Sequence, residues 1–352
     1  MWQPNKRTEP EPMLPVDKRT PIRPTVGREV AMLKFGLLSL IDPLVGHLER
    51  TEPVLPGEPH LGAPRTYATW LLVRLWMVRV LAGWSQRQLF AKLQKRQVRA
   101  WLRRFIDLPT RLPSRSHYGR RVRQPDFLAA LRRLFGALAA RLAHRTPGDL
   151  EVLSLDFTDL PVDVRYDADA AYGYTSKGRF YGYKLHLVVS RRGALLAYRV
   201  ATANHHGVRL AEEMLPDLSR LARLIRMILG DAGYDSGPLH DQVREVLDAM
   251  LLAPVNPRRG AGAPDESTAR GQALAFLQTA VGRALYRERT IIEQVNGQLK
   301  DVLRVADIPY YVRGEAAVER LVVARLILYN AAVLKNVLDH ETHVRRVKLL
   351  VA

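Results

Sequence analysis

The 352-residue sequence contains no cysteine. That excludes disulfides, thiolate nucleophiles and every cysteine-based zinc site, and it fits a reducing compartment. A secretory leader is not expected either. The opening MWQPNKRTEPEPMLP mixes proline with charge and has no apolar centre. Long hydrophobic runs are missing. The most apolar late stretch, LVVARLILYNAAVL, is interrupted by Arg325 and is too short to cross a bilayer, so no membrane segment is expected. There is no internal repeat. Acidic residues are the other scarcity: 35 Asp+Glu against 54 Lys+Arg leave a formal net charge of +19. An excess of this size points to a polyanionic partner, of which nucleic acid is the commonest. A basic enzyme without such a partner is the plain alternative.

What is present is an ordinary globular composition, 47% hydrophobic and 25% charged, in a chain long enough for two domains. The charge is uneven. Residues 1–150 carry 27 basic and 11 acidic side chains, whereas residues 151–352 carry 27 and 24. The first part therefore holds most of the net charge, and the second has acids to spare for chemistry.

Residues 1–27, with six prolines, read as a flexible tail. A short helix is expected in VAMLKFGLLSLIDPLVGHL, then a Pro/Gly-rich link in EPVLPGEPHLGAPR. From Thr66 the pattern is helical. Gly83 is a natural stop, and Ser85 and Ser114 are natural N-caps. Between Arg87 and Arg123 stand twelve Lys/Arg and one acid, Asp107. Short basic helices joined by tight turns suit a helix-turn-helix-like module facing phosphates, with Arg115, Arg120 and Arg121 as DNA-contact candidates. A solvated helix face is the bland reading. The amphipathic run QPDFLAALRRLFGALAARLAHR closes this helical region, taken as residues 28–148.

The character then changes. LEVLSLDFTDL, YGYKLHLVVS and ALLAYRVAT read as strands, with RRG as a turn. IRMILGD and MLLAPV are further strands, alternating with helices at VRLAEEMLPDLSRLARL and SGPLHDQVREVLDA. A long helical region over about 270–302 and a last helix over about 314–337 complete the series. The order β-β-β-α-β-α-β-α predicts an α/β domain over 149–340 whose mixed sheet is antiparallel first and parallel later.

Three carboxylates stand out in it. Asp156 sits in mid-strand, where alternation sets it with Ser154 and Thr158, opposite Leu153, Leu155 and Phe157. Asp231 ends an apolar strand, where open α/β sheets place ligands. Glu293 lies in the helical stretch YRERTIIEQVNGQLK. Each has a plain reading: an edge residue with Asp159 and Asp163 as equals, a turn former, a solvated helix charge. Together they make a hard-oxygen set suited to Mg²⁺ or Mn²⁺, and two such ions suit phosphoryl transfer. At about 100° per residue, Tyr286, Arg289, Glu293, Asn296 and Lys300 fall within an arc of about 80°. Ile291, Ile292, Val295 and Leu299 gather on another arc. One stripe packs and the other faces outward.

The spacing Tyr286-x2-Arg289-x3-Glu293-x6-Lys300, with YGYKLHLVV and GDAGYDS before it, resembles the bacterial insertion-sequence transposases of the DDE class, in the branch carrying this Tyr-Arg-Glu-Lys signature. The resemblance covers about 150–335 and implies an RNase H-like catalytic domain preceded by a DNA-binding helical domain. It implies a metal-binding triad of Asp156, Asp231 and Glu293, holding two Mg²⁺ or Mn²⁺ ions. Tyr286, Arg289 and Lys300 would contact phosphates. It further implies double-stranded DNA as partner (terminal inverted repeats and target), a homodimer on DNA, and a cytoplasmic, nucleoid-associated location. Asp156 is preferred to Asp159 because it falls within the apolar alternation. Two departures stand out. Only 62 residues separate Asp231 from Glu293, and all five Trp lie before residue 102, so there is no inserted tryptophan to trap a flipped base. Gly207 stands where relatives often carry Asp, and His205 is left as either a site residue or a polar loop residue. A catalytically inactive DNA-binding repressor and a nuclease that cuts without joining are the competing functions.

Overall fold

The computed structural model describes residues 31–51, 67–175, 178–257, 265 and 267–351. The expected tail at 1–27 and the link at 52–65 lie outside the described residues.

Helix α1 (Leu38–Thr51) starts a helical layer that continues in α2 (Thr69–Ala82), α3 (Gln86–Gln94), α4 (Arg96–Leu102), α5 (Arg115–Arg121) and α6 (Pro125–Arg145). The stops and starts follow local chemistry. Gly83 ends α2 in the left-handed conformation, φ 66°, with its N–H on helix carbonyls. Ser85 opens α3 with a reciprocal capping box to Gln88, and the Ser114 hydroxyl accepts from the His117 N–H to open α5. Pro125 takes the first turn of α6, where its missing N–H costs nothing.

One charged residue is built into this apolar layer. Arg74, 5% exposed, donates to Asp42 and Glu49 of α1, both at 2.7 Å. Asp42 also accepts the Asp107 N–H. Arg74 thus ties three segments. Arg74→Met removes the cation and leaves two half-sheltered carboxylates together. A loss of about 2–3 kcal/mol is expected, read as a lower urea midpoint. A loss below about 0.5 kcal/mol would mean that packing alone holds α1.

The second part is built on six strands: β1 (Val152–Pro161), β2 (Ala171–Thr175), β3 (Gly178–Ser190), β4 (Leu195–Thr202), β5 (Met227–Leu229) and β6 (Met250–Leu252). The spatial order β4-β3-β1-β5-β6 has β1, β3 and β4 antiparallel and β5 and β6 parallel to β1. This is the RNase H-like arrangement, with the antiparallel-then-parallel sheet expected from the sequence. Strand β2 was not expected. It pairs with the first part of β3 (Ala171↔Gly182 to Thr175↔Gly178), and β4 takes over along the same edge from Tyr183. Gly182 sits at that junction because the chains approach closely: a Cβ there would lie 2.2 Å from the Leu160 carbonyl oxygen.

Helices α7 (Gly207–Leu218) and α8 (Gly237–Leu247) cover one face of the sheet, packing on Leu153, Leu155 and Val188. The other face is covered by α11 (Thr290–Asp301) and α12 (Glu315–Leu338), over Leu185, Leu187 and Val189. A single apolar cluster runs from this face into the N-terminal helices. Helix α12 is its axis, and that explains its composition. Its 24 residues are long and apolar enough to cross a membrane by length and composition, and 78% of its most apolar stretch is buried inside the protein. The segment Ala31–Thr51 passes the same test, with 33% buried. The helix has the extent expected from the sequence, about 314–337, and the run LVVARLILYNAAVL is its buried middle.

The expected helical region over about 270–302 is helical, with two breaks in it. It divides into α9 (Ala269–Gln278), α10 (Ala280–Tyr286), a tight 3₁₀ turn at Arg287–Arg289, and α11. The first break is Thr279. Its extended backbone (φ −73°, ψ 158°) lets its hydroxyl cap α10 through the Gly282 N–H, a local bond that competes with helix continuation. The last helix, α13 (Lys348–Val351), is a short turn against α12.

Candidate active site

Strand β1 pairs with β3 so that Asp156 lies opposite Leu187, on the face covered by α11. Its carboxylate is only 17% exposed. Burial first, and then the charges of Asp231 and Glu293, push it up to about 6, against the pull of Arg289 and a backbone N–H. Asp231 lies two residues past the end of β5, the parallel neighbour of β1, and caps the next turn by accepting the Gly233 N–H at 2.8 Å. Glu293 stands in the first turn of α11 and is 56% exposed.

Arg289 links two of the three. Its guanidinium donates to Glu293 at 2.7 Å and lies 4.0 Å from Asp156. Asn296, one turn beyond Glu293, has its amide nitrogen 3.5 Å from Asp156, while its oxygen is buried without a hydrogen-bond partner. Lys300 of α11 pairs with Asp159 at 2.6 Å, so the two aspartates of β1 meet different cations, Arg289 before the helix and Lys300 near its end. The polar stripe on this helix is real over Arg289, Glu293, Asn296 and Lys300, and Ile292, Val295 and Leu299 are buried behind it. Tyr286 departs from it. The 3₁₀ turn winds more tightly than an α-helix, and the Tyr286 hydroxyl donates to the Gly230 carbonyl, next to Asp231. The turn is held from outside by Arg191, which donates to Glu288.

Two buried side chains beneath the carboxylates were not singled out from the sequence. Tyr234 shares a hydrogen bond of 3.1 Å with His186 Nδ1, and both are essentially unexposed. Burial, reinforced by Asp156 and Asp231, keeps the Tyr234 hydroxyl protonated far above its usual range. Burial, with Lys184 nearby, lowers His186 to about 3, so the imidazole is neutral. His186 also stacks on Phe157, the neighbour of Asp156. The available signal was a histidine placed in the apolar run of β3. His205 lies apart from this group, and its Nδ1 shares a 2.8 Å hydrogen bond with the Thr202 hydroxyl.

The donors fit a hard cation: oxygen ligands, a crowded buried carboxylate, and an orphaned amide oxygen beside it. They are not drawn into a closed set. Among the described residues no three His, Asp or Glu side chains stand at metal-holding spacing. Arg289 occupies the position of the compensating charge between Asp156 and Glu293.

The candidate DNA contacts of the helical layer divide by exposure. Arg115 and Arg120 are exposed on α5. Arg121, 12% exposed, turns inward to Asp126 at 3.0 Å and to the Thr69 hydroxyl.

Comparison with known proteins bears on the same region. No curated protein matches the chain. A cryo-EM structure of a piggyBac transposase synaptic complex with hairpin DNA is similar at 13% identity, over 92% of this chain and 80% of that one, with a TM-score of 0.34. A family model for the transposase DDE domain matches residues 147–331, from just before β1 into α12. The match takes in all six strands, Asp156, Asp231, Glu293 and more than half of the chain, and the protein belongs to the transposase DDE-domain family.

Proposed function

We propose that this chain binds the ends of a bacterial mobile element, cuts DNA there and joins the freed 3′ end to target DNA, with Asp156, Asp231 and Glu293 as metal ligands. The observation that carries the reading is the crowding at Asp156. A mid-strand carboxylate is buried within the fields of two other acids, with one arginine at 4.0 Å as its cation. Such a group costs stability, and a cation-binding role explains why the fold bears it.

Two Mg²⁺ or Mn²⁺ ions bound there would activate the attacking oxygen and stabilise the leaving one. The protein's own groups set the stage. The Tyr286 hydroxyl fixes the Gly230 carbonyl and with it the turn that presents Asp231. Neutral His186 and protonated Tyr234 form an uncharged floor that adds no competing charge. Arg289, just before α11, and Lys300, in its last turn, offer cations suited to phosphate oxygens. Residues 28–148 are read as the DNA-binding domain and 149–340 as the catalytic one. Arg115 and Arg120 present exposed charge, and Arg121 braces α5 from behind. Action on two ends makes a homodimer on DNA, in the cytoplasm, the expected working form.

The test is cleavage of a duplex carrying the element's own terminal repeats, with and without Mg²⁺. Metal-dependent nicking and strand transfer are expected, both lost in Asp231→Ala and Glu293→Ala. Nicking that survives both substitutions would remove the triad. Footprints without cleavage would favour a repressor, and nicking without joining would favour a nuclease.

A further inference from the structure

The loop after β1 and the loop between α11 and α12 carry exposed tyrosines that the catalytic reading does not use. Tyr166, Tyr310 and Tyr311 are 39%, 68% and 58% exposed. Their rings form a chain: Tyr166 to Tyr310 at 5.7 Å, Tyr310 to Tyr311 at 5.6 Å. Arg165 and Arg313 lie 5.4 and 5.7 Å from the Tyr166 ring centre. Exposed aromatic rings cost solvation, and three in contact on a soluble surface call for a partner.

The surface is held in shape from below. Asp167, 3% exposed, accepts the Gly314 N–H at 3.1 Å on both oxygens and the Tyr183 hydroxyl at 3.0 Å. The Tyr181 hydroxyl donates to the Asp167 carbonyl. One buried carboxylate thus staples the loop bearing Tyr166 to the loop bearing Tyr310 and Tyr311. Gly314 suits that staple: its φ is +81°, and a Cβ would lie 2.8 Å from Asp169. Beside it, Tyr172 contacts Tyr181 at 4.9 Å and carries the Arg179 guanidinium 3.7 Å above its ring.

Exposed rings alternating with guanidinium groups are what unpaired nucleic-acid bases recognise, because every base offers a π-face and every phosphate a charge. The position is continuous with the site. Strand β1 runs from Asp156 to Pro161, about 17 Å at 3.3 Å per residue, and then enters the Tyr166 loop. Lys300 and Asp159 lie between. We propose that Tyr166, Tyr310 and Tyr311 form a stacking platform for unpaired DNA bases a few nucleotides from the cut. Asp163, paired with Arg165, offsets part of the charge there. Arg313 and Arg179 supply the remainder.

This rests on the chain acting on DNA, and the test separates the two. Fluorescence anisotropy in EDTA would compare three probes on the full chain: dT12, an abasic 12-mer of equal charge, and a 12-bp duplex. The wild type is expected to prefer dT12 over the abasic strand by about 30-fold. Tyr310→Ala/Tyr311→Ala should abolish that preference and leave duplex binding within about twofold. Tyr310→Phe/Tyr311→Phe should keep it, since stacking needs the ring and not the hydroxyl, and thermal melting checks that all variants fold. A wild type that binds dT12 and the abasic strand equally would overturn the platform alone. So would a preference that survives in a variant also carrying Tyr166→Ala. Loss of self-association in the alanine variants, with base preference unchanged, would make the face a contact between copies and overturn the proposal. Failure to bind any of the three probes would instead overturn the DNA-acting reading.

Discussion

Asp156→Asn is expected to abolish strand cleavage and, in the same protein, to raise stability. The first effect follows from its proposed role. Removing one anionic ligand from a metal-dependent phosphoryl-transfer site should lower cleavage by about three orders of magnitude. The second follows from its pKa, raised from 3.8 to about 6 by burial and by the neighbouring acids. A carboxyl group with a raised native pKa binds its proton more tightly in the folded state. Stability is therefore highest below the unfolded value and falls as pH rises from about 4 to about 6. The loss amounts to about 3 kcal/mol, and it persists at neutral pH. An amide carries no charge and escapes it. At pH 7.5 without metal, Asp156→Asn should unfold at higher urea than the wild type, and the gap should close near pH 4. A variant that cuts normally would pass the role to Asp159, the other carboxylate of β1, which pairs with Lys300. One that is inactive yet no more stable would mean that Arg289, 4.0 Å away, already neutralises the charge.

Asn330→Leu is expected to be the most damaging change away from the site. Asn330 is fully buried in the middle of α12. Its side chain accepts the Leu195 N–H and donates to the Leu195 carbonyl, both at 2.9 Å. The amide imitates a neighbouring strand at the edge of β4 and satisfies two backbone groups that no water can reach. Leucine keeps the same branched outline of four heavy atoms, is somewhat bulkier, and leaves both groups orphaned. The cost should be about 4 kcal/mol, since each unsatisfied buried group costs about 1–3 kcal/mol. Urea unfolding measures the total, and hydrogen exchange at the Leu195 amide locates it. A loss below about 1 kcal/mol would show that β4 shifts to find other partners. Because α12 also covers the face that carries Asp156, this bond helps hold that face to the helices behind it.

Much of the molecule was legible because its signals are local. Gly83, Ser85 and Ser114 stop and cap helices through bonds within a few residues. The alternation around Asp156 and the apolar run before Asp231 follow from strand geometry. The helix break at Thr279 was also local, and was missed because a threonine cap amid helical periodicity looks like one more polar position. Strand β2 was missed for another reason. AYGYT acquires its pairing only because β3 is long enough to take two partners along one edge.

What the sequence determined by itself was the succession of elements, the charge division between the two parts, and the residue types able to carry metal and phosphate chemistry. These depend on side-chain identity and on spacing within one helix or strand. Tertiary structure alone decided the rest. It placed Arg289 rather than bulk water beside Asp156, turned Tyr286 to Gly230, buried Tyr234 and His186 beneath the carboxylates, and stapled two tyrosine-bearing loops through Asp167. Those contacts join residues 14 to 147 positions apart. Burial and pairing at that range depend on how strands and helices pack, and no local pattern encodes the packing.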